Sequence, residues 1–289
     1  MGVAFVIMWS SAFSSARIIV QDAPPMSSLS LRFLISGLIA IALARAMGQS
    51  MRLTRAQWTS TVVFGICQNA LYLGLFFVAM QWIEAGLAAI IASSMPLIVA
   101  FLSWVFLKER TGLIGTLGLL AGFIGVALIM SGRLTGGSDP FGLFICGIGV
   151  LALSIATLVV RGASSGGNVL MIVGLQMLVG SAALFVPAVA LETLTVNWTP
   201  SLILAFAYTT IVPGLAATWV WFVLVGRIGS TRAATYHFLN PFFGVAIAAV
   251  LLGEELSLRD FVGVAIITGG ILAVQLSKRP ARAAKVTKA

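Results

Sequence analysis

Charge is what this chain has least of. Only 9% of its 289 residues are Asp, Glu, Lys or Arg, against about a quarter in a soluble domain. So few charges cannot cover a surface in water, so the outer solvent is lipid. One histidine and two cysteines are present. Cys67 and Cys146 fall inside apolar runs, without metal spacing or a disulfide pattern, and read as buried structural residues. The eight carboxylates, Asp22, Glu84, Glu109, Asp139, Glu192, Glu254, Glu255 and Asp260, stand at or near the ends of such runs. No midspan acid is left for the carboxylate relay of a proton- or sodium-driven pump. Catalytic signatures are missing too: no nucleophile with a positioned histidine, no His–Glu metal helix, no phosphate-binding glycine loop. The expectation is a protein that is not an enzyme, with no metal and no cofactor.

What is present is apolar: 60% hydrophobic residues and a mean hydropathy of +1.10. Ten runs of suitable length lie at 3–20, 27–47, 57–80, 85–107, 111–131, 140–160, 169–191, 201–224, 230–252 and 260–277. A helix of roughly 20 residues crosses about 30 Å of hydrocarbon. Backbone amides there must pair internally, so the runs are helices or barrel strands. Barrel strands alternate in polarity over about ten residues, whereas these runs are continuous and longer. An all-α polytopic membrane protein of ten transmembrane helices is predicted. The first run is already of spanning length and carries no cleavage site, which argues against a signal peptide.

The net charge of +9 lies in short loops and a tail rather than on a basic face interleaved with aromatics, so nucleic acid is not an expected partner. With the N-terminus inside, Arg45, Arg52, Arg55, Lys108, Arg110, Arg161, Arg227, Arg232, Lys278, Arg279, Arg282, Lys285 and Lys288 are cytoplasmic. Arg17, Arg32, Arg133 and Arg259 are then outside. That bias follows the positive-inside rule and needs an even number of spans, with both termini cytoplasmic.

The chain also repeats itself. A shift of 145 residues lays Pro96 on Pro241, Glu109 on Glu254, Gly118 on Gly263 and Gly125 on Gly270. Ala88-Ala89 falls on Ala233-Ala234, and Ile83 on Ile228. Each half holds five spans, an odd number, so the second half enters the membrane in the opposite sense and the repeat is inverted. The halves are read as 1–135 and 136–277, followed by a basic cytoplasmic tail, 278–289.

Four stretches resemble the drug/metabolite transporter superfamily in its EamA-like branch of ten-helix exporters. Trp9-Ser10-Ser11-Ala12-Phe13 resembles the family's first helix, and Pro25 with Leu31-Arg32-Phe33 its entry into the second. Ala85 to Glu109, centred on Pro96, resembles the fourth, and Gly112, Gly115, Gly118, Gly122 and Gly125 the fifth. Ser230 to Glu254 repeats the theme, although Gly253-Glu254-Glu255 stands where the first half has Leu107-Lys108-Glu109. The resemblance implies a central cavity walled by helices 1–4 and 6–9, with helices 5 and 10 peripheral. It also implies export of small metabolites across a bacterial inner membrane, and the chain is most similar to amino-acid exporters, including aromatic ones.

Polar groups within spans point to a partner helix or a wet cavity. The candidate substrate-binding residues are Trp9 and Phe13; Gln68, Asn69 and Tyr72; Ser93 and Ser94; Tyr208 and Trp219; and Tyr236, His237 and Asn240. They would line an aromatic-walled pocket able to orient a zwitterion, or else hydrogen-bond helix to helix. Pro96, Pro213 and Pro241 are candidate hinges, and the first and last free a carbonyl four residues upstream. His237, with an ordinary pKa near 6.5, could carry a proton or simply bond inside a cavity. Gly118 to Gly122 forms a small-residue face for packing within the chain or for a dimer. Trp58, Trp82 and Trp198 read as interfacial anchors. The expected function is amino-acid export by alternating access, facilitative, in a monomer or homodimer surrounded by lipid. The alternatives are a nucleotide-sugar, drug or other metabolite carrier of the same fold, and a channel-like facilitator. The first alternative is weakened by the lack of a midspan cation to meet phosphate.

Overall fold

The computed structural model describes residues 1–108, 112–135, 139–159, 167–228 and 235–277. Glu109, Arg110, Arg161, Ser230, Arg232, Ala233, Ala234 and the tail 278–289 lie outside the described residues. Ten membrane-type elements follow in order. They are α1 (Gly2–Asp22), α2 (Pro25–Ala46) and α3 (Arg55–Ala79); then α4 (Ala85–Ser93 and Met95–Leu107) and α5 (Leu113–Thr135). After these come α6 (Pro140–Val159), α7 (Val169–Leu191) and α8 (Pro200–Ile211, Val212–Ala216 and Ala217–Ile228). Last are α9 (Thr235–Leu239 and Asn240–Leu252) and α10 (Leu258–Ser277). Eight helices are long and apolar enough to cross a membrane, and Leu113–Ile129 and Asn240–Leu252 are shorter apolar helices. No strand occurs among the described residues. Each apolar run of the sequence has become one element.

Helix starts are set by local chemistry. At α3, Thr54 and Gln57 form a capping box: the Thr54 side chain accepts from Gln57 N–H at 3.3 Å, and Gln57 Oε1 accepts from Thr54 N–H at 2.9 Å. The carboxylates do the same work over longer range. Glu192 accepts from the N–H groups of Met26 and Ser27 at 2.7 and 2.8 Å, closing the first turn of α2. Glu254 accepts from Ala85 and Gly86 N–H at 2.6 and 2.8 Å at the head of α4. Both place negative charge where orphan amides and the helix dipole favour it.

Interiors are sealed by small residues. α2 crosses α7 where Gly37 meets Gly174: a Cβ on either would stand 3.0 Å from the other's carbonyl oxygen. Two turns away Ser30 and Ser181 exchange hydrogen bonds, each hydroxyl donating to the other's backbone carbonyl at 2.9 and 2.8 Å. α5 and α10 pack chiefly on each other, with a Cβ on Gly270 only 2.6 Å from the Gly118 carbonyl. Close backbone approach is how helices associate where lipid supplies no hydrophobic drive. The Gly118 to Gly122 face is thus filled from within the chain, by α10 and by Leu97 of α4.

The internal correspondence extends to the backbone. A π-helical segment interrupts α3 at Gly65–Leu73 and α8 at Val212–Ala216. α4 ends at Lys108 and the helix of α9 at Gly253, both left-handed with φ of 53° and 68°. These two are 145 residues apart, so Gly253 matches Lys108, one position off the alignment that sets Gly253 against Leu107. α1 packs on α8 and α9, and α6 on α3 and α4.

One placement corrects the topology reading. Arg32 is not a loop cation: it lies inside α2, and only 6% of it is exposed. Trp58, Trp82 and Trp198 are exposed near helix ends, where anchors belong.

Candidate functional site

Where α1, α8 and α9 meet, aromatic rings close around one polar pair. Phe5 and Trp9 come from α1, Trp221 from α8 and His237 from α9. Ring centroids lie 5.2 Å apart for Phe5–His237, 6.1 Å for Trp9–His237 and 4.9 Å for Trp221–His237, all near edge-to-face, the geometry the ring quadrupoles favour. The backbone explains why His237 is presented there. Pro241 cannot donate to the His237 carbonyl, so the turn before it tightens into the 3-10 segment Thr235–Leu239. Asn240 Nδ2 lies 3.0 Å from His237 Nδ1, in a hydrogen bond that joins the two side chains. Asn240 Oδ1 is buried without a hydrogen-bond partner. Inside an aromatic wall, an unused amide acceptor is a group to which a ligand's N–H could donate.

α1 continues the polar seam. Ser10 donates to the Asn240 carbonyl at 3.4 Å, and Ser11 shares a 2.8 Å hydrogen bond with the Tyr208 hydroxyl of α8. Ser14 Oγ is buried and unpartnered. Below it Phe13 packs near Phe76 of α3 at 6.2 Å, and Tyr72 touches Phe76 at 4.7 Å.

Other candidates have structural duties. Asn69 Nδ2 donates to the Gln176 carbonyl at 2.9 Å and fastens α3 to α7. Ser93 and Ser94 turn back onto the Ala89 and Ile91 carbonyls of their own helix, and the Ser94 N–H also returns to Ile91 at 3.0 Å where α4 breaks ahead of Pro96. Tyr236 lies against Gly2 of α1, Gln68 is half-buried, and Trp219 is 57% exposed and joins none of these ring contacts. Pro96 and Pro241 begin the second halves of α4 and α9, and Pro213 lies in the π segment of α8.

The EamA-like transporter family model matches residues 1–131 and again 140–276. The chain belongs to that family. Among its relatives is an uncharacterized transporter of Bacillus subtilis, YvbV, 25% identical over 283 residues, 97% of this chain and 92% of that protein. The uncharacterized inner membrane transporter YedA of Escherichia coli K12 is 25% identical over 282 residues, 95% of this chain and 89% of that protein. A solved crystal structure superposes with a TM-score of 0.69 at 22% identity, covering 95% of both chains, and supports the fold alone. This EamA-like chain is therefore a multi-pass membrane transporter of the drug/metabolite transporter superfamily.

Three features of this EamA-like site escape the sequence reading. Phe5 and Trp221 are among many aromatics in apolar runs, and only the meeting of α1, α8 and α9 sets them around His237. Arg32 stands with the outside cations in the charge count; yet Pro25 is the first residue of α2, which puts Arg32 about two turns inside. Its buried guanidinium places a cation within the span, where the sequence showed none.

Proposed function

We propose that this EamA-like transporter exports amino acids, with aromatic and other apolar ones favoured, by facilitative alternating access through the cavity between its halves. The observation that carries the reading is the aromatic enclosure of Phe5, Trp9 and Trp221 around the His237–Asn240 pair. Such a wall receives an apolar side chain through area burial and ring contacts without demanding one shape. The buried acceptor of Asn240 and the serines of α1 offer polar orientation beside it.

Motion is supplied by the breaks in α4, α8 and α9, where the ordinary i to i−4 ladder is already interrupted. The described carboxylates all stand at helix ends, and several are engaged in hydrogen bonds there, so none of them is placed for ion coupling. Both termini on the cytoplasmic side is part of the same proposal.

The buried cation of Arg32 favours one second reading: a carrier of anionic metabolites on the same fold. The test is uptake by proteoliposomes of purified protein, using labelled amino acids first without any ion gradient and then with an imposed proton gradient. Saturable uptake without a gradient is expected. Silence across the panel from folded protein sinks the amino-acid reading and moves the search to anionic and sugar-bearing metabolites.

A further inference from the structure

Arg32 stands alone inside the bundle. Its side chain is 6% exposed, its Nε has no hydrogen-bond partner, and no ion pair reaches it among the described residues. The one ring contact is with its own neighbour, Phe33, 5.2 Å from the guanidinium carbon. Across from it, α8 is in its π segment, and the lack of a side chain on Gly214 makes room: a Cβ there would stand 3.7 Å from Arg32 Nη2 and 3.4 Å from Ser36 Oγ. A buried guanidinium with five donors and no acceptor is a costly arrangement unless an anion completes it. No carboxylate among the described residues is paired with it: Glu192 and Glu254 are held by helix N-termini and Asp22 by Asn197 and Thr199.

We propose that the Arg32 guanidinium, beside Ser36 and the Gly214 break of α8, is the subsite that receives the carboxylate of the transported molecule. A planar carboxylate fits the fork of a guanidinium in a way a lone ammonium group does not. Trp221 of the aromatic enclosure lies seven residues, about two turns, further along α8, so one helix carries both an anion subsite and an apolar one. This rests on the cavity reading above and names the group it would recognise.

The experiment uses the purified full chain in phosphatidylcholine nanodiscs, followed by thermal unfolding. Four probes are titrated: L-phenylalanine; 3-phenylpropanoate, which has the carboxylate alone; 2-phenylethylamine, which has the ammonium alone; and inorganic phosphate. The wild type is expected to be stabilised by the two carboxylates and not by the amine. Arg32→Met should weaken the carboxylate response about tenfold or more, the scale of one charge-assisted pair, with Arg32→Lys between. Without ligand, Arg32→Met should melt no lower than wild type, because an apolar side chain replaces an unpaired buried charge. A clearly lowered melting point for unliganded Arg32→Met overturns the proposal in favour of a structural role. Equal carboxylate response in wild type and Arg32→Met, or none in wild type, also overturns it. Stabilisation by phosphate, or by phosphatidylglycerol in the disc, that exceeds the carboxylate effect assigns the subsite to a phosphate or a lipid headgroup instead. Response to 3-phenylpropanoate but not to L-phenylalanine upholds the anion subsite while the amino-acid reading fails. Binding of L-phenylalanine that ignores Arg32 does the reverse.

Discussion

At single residues, two kinds of polar group must be told apart: those satisfied by the protein and those left open. Asn69 is satisfied. Its bond to the Gln176 carbonyl joins two helices, so Asn69→Ala should lower stability by about 1 kcal/mol and leave ligand affinity nearly unchanged, read by thermal unfolding beside a binding titration. Asn240 Oδ1, beside the rings packed around His237, is left without a partner. Trp221→Ala should weaken binding of L-tryptophan by about 1 to 2 kcal/mol, the sum of a lost ring contact and lost burial, while binding of alanine changes little. Sequence spacing could not separate these cases, because Asn69 and Asn240 both present an amide within an apolar run.

At the level of elements, the crossings and the caps hold the bundle. A Cβ on Gly270 would approach Gly118 O at 2.6 Å and Gly122 N at 2.8 Å, atoms of backbone that cannot rotate aside. Gly270→Ala should therefore separate α5 from α10 at a cost of about 1 to 3 kcal/mol, measured as a lowered unfolding temperature. Glu254 joins the end of α9 to the start of α4 through two amides. Glu254→Gln keeps the shape but loses the charge opposite the helix dipole, for an expected loss of about 1 kcal/mol. The spans themselves were legible from apolar length, and the Pro96 and Pro241 breaks from proline's missing donor. The π segment of α8 is marked by Pro213, but that of α3 was not legible, since at Gly65–Leu73 no proline announces the extra residue in the turn.

For the whole molecule, the question is what drives cargo across. With the described carboxylates at helix ends, His237 of the aromatic enclosure, hydrogen-bonded to Asn240, is the group to test for proton carriage. Transport in proteoliposomes should be insensitive to an imposed proton gradient, and His237→Gln should alter affinity without creating or removing gradient dependence. A robust pH-gradient effect that survives that substitution would count against a facilitative carrier.

The sequence by itself determined the solvent, the element type and the repeat. Lipid follows from 9% charge, helices from the need to satisfy every amide within a span, and the inverted halves from five spans per repeat. These depend on composition, length and register, which are local properties or simple periodicities. Tertiary structure alone decided which polar groups are spent and which remain. Glu192, Glu254 and Asn69 are consumed by distant helices, whereas Asn240 Oδ1 and the Arg32 Nε are buried without partners. Whether a hydrogen-bonding group meets a partner depends on helices far away in sequence and on which face each turns inward, and no single run of residues carries that information.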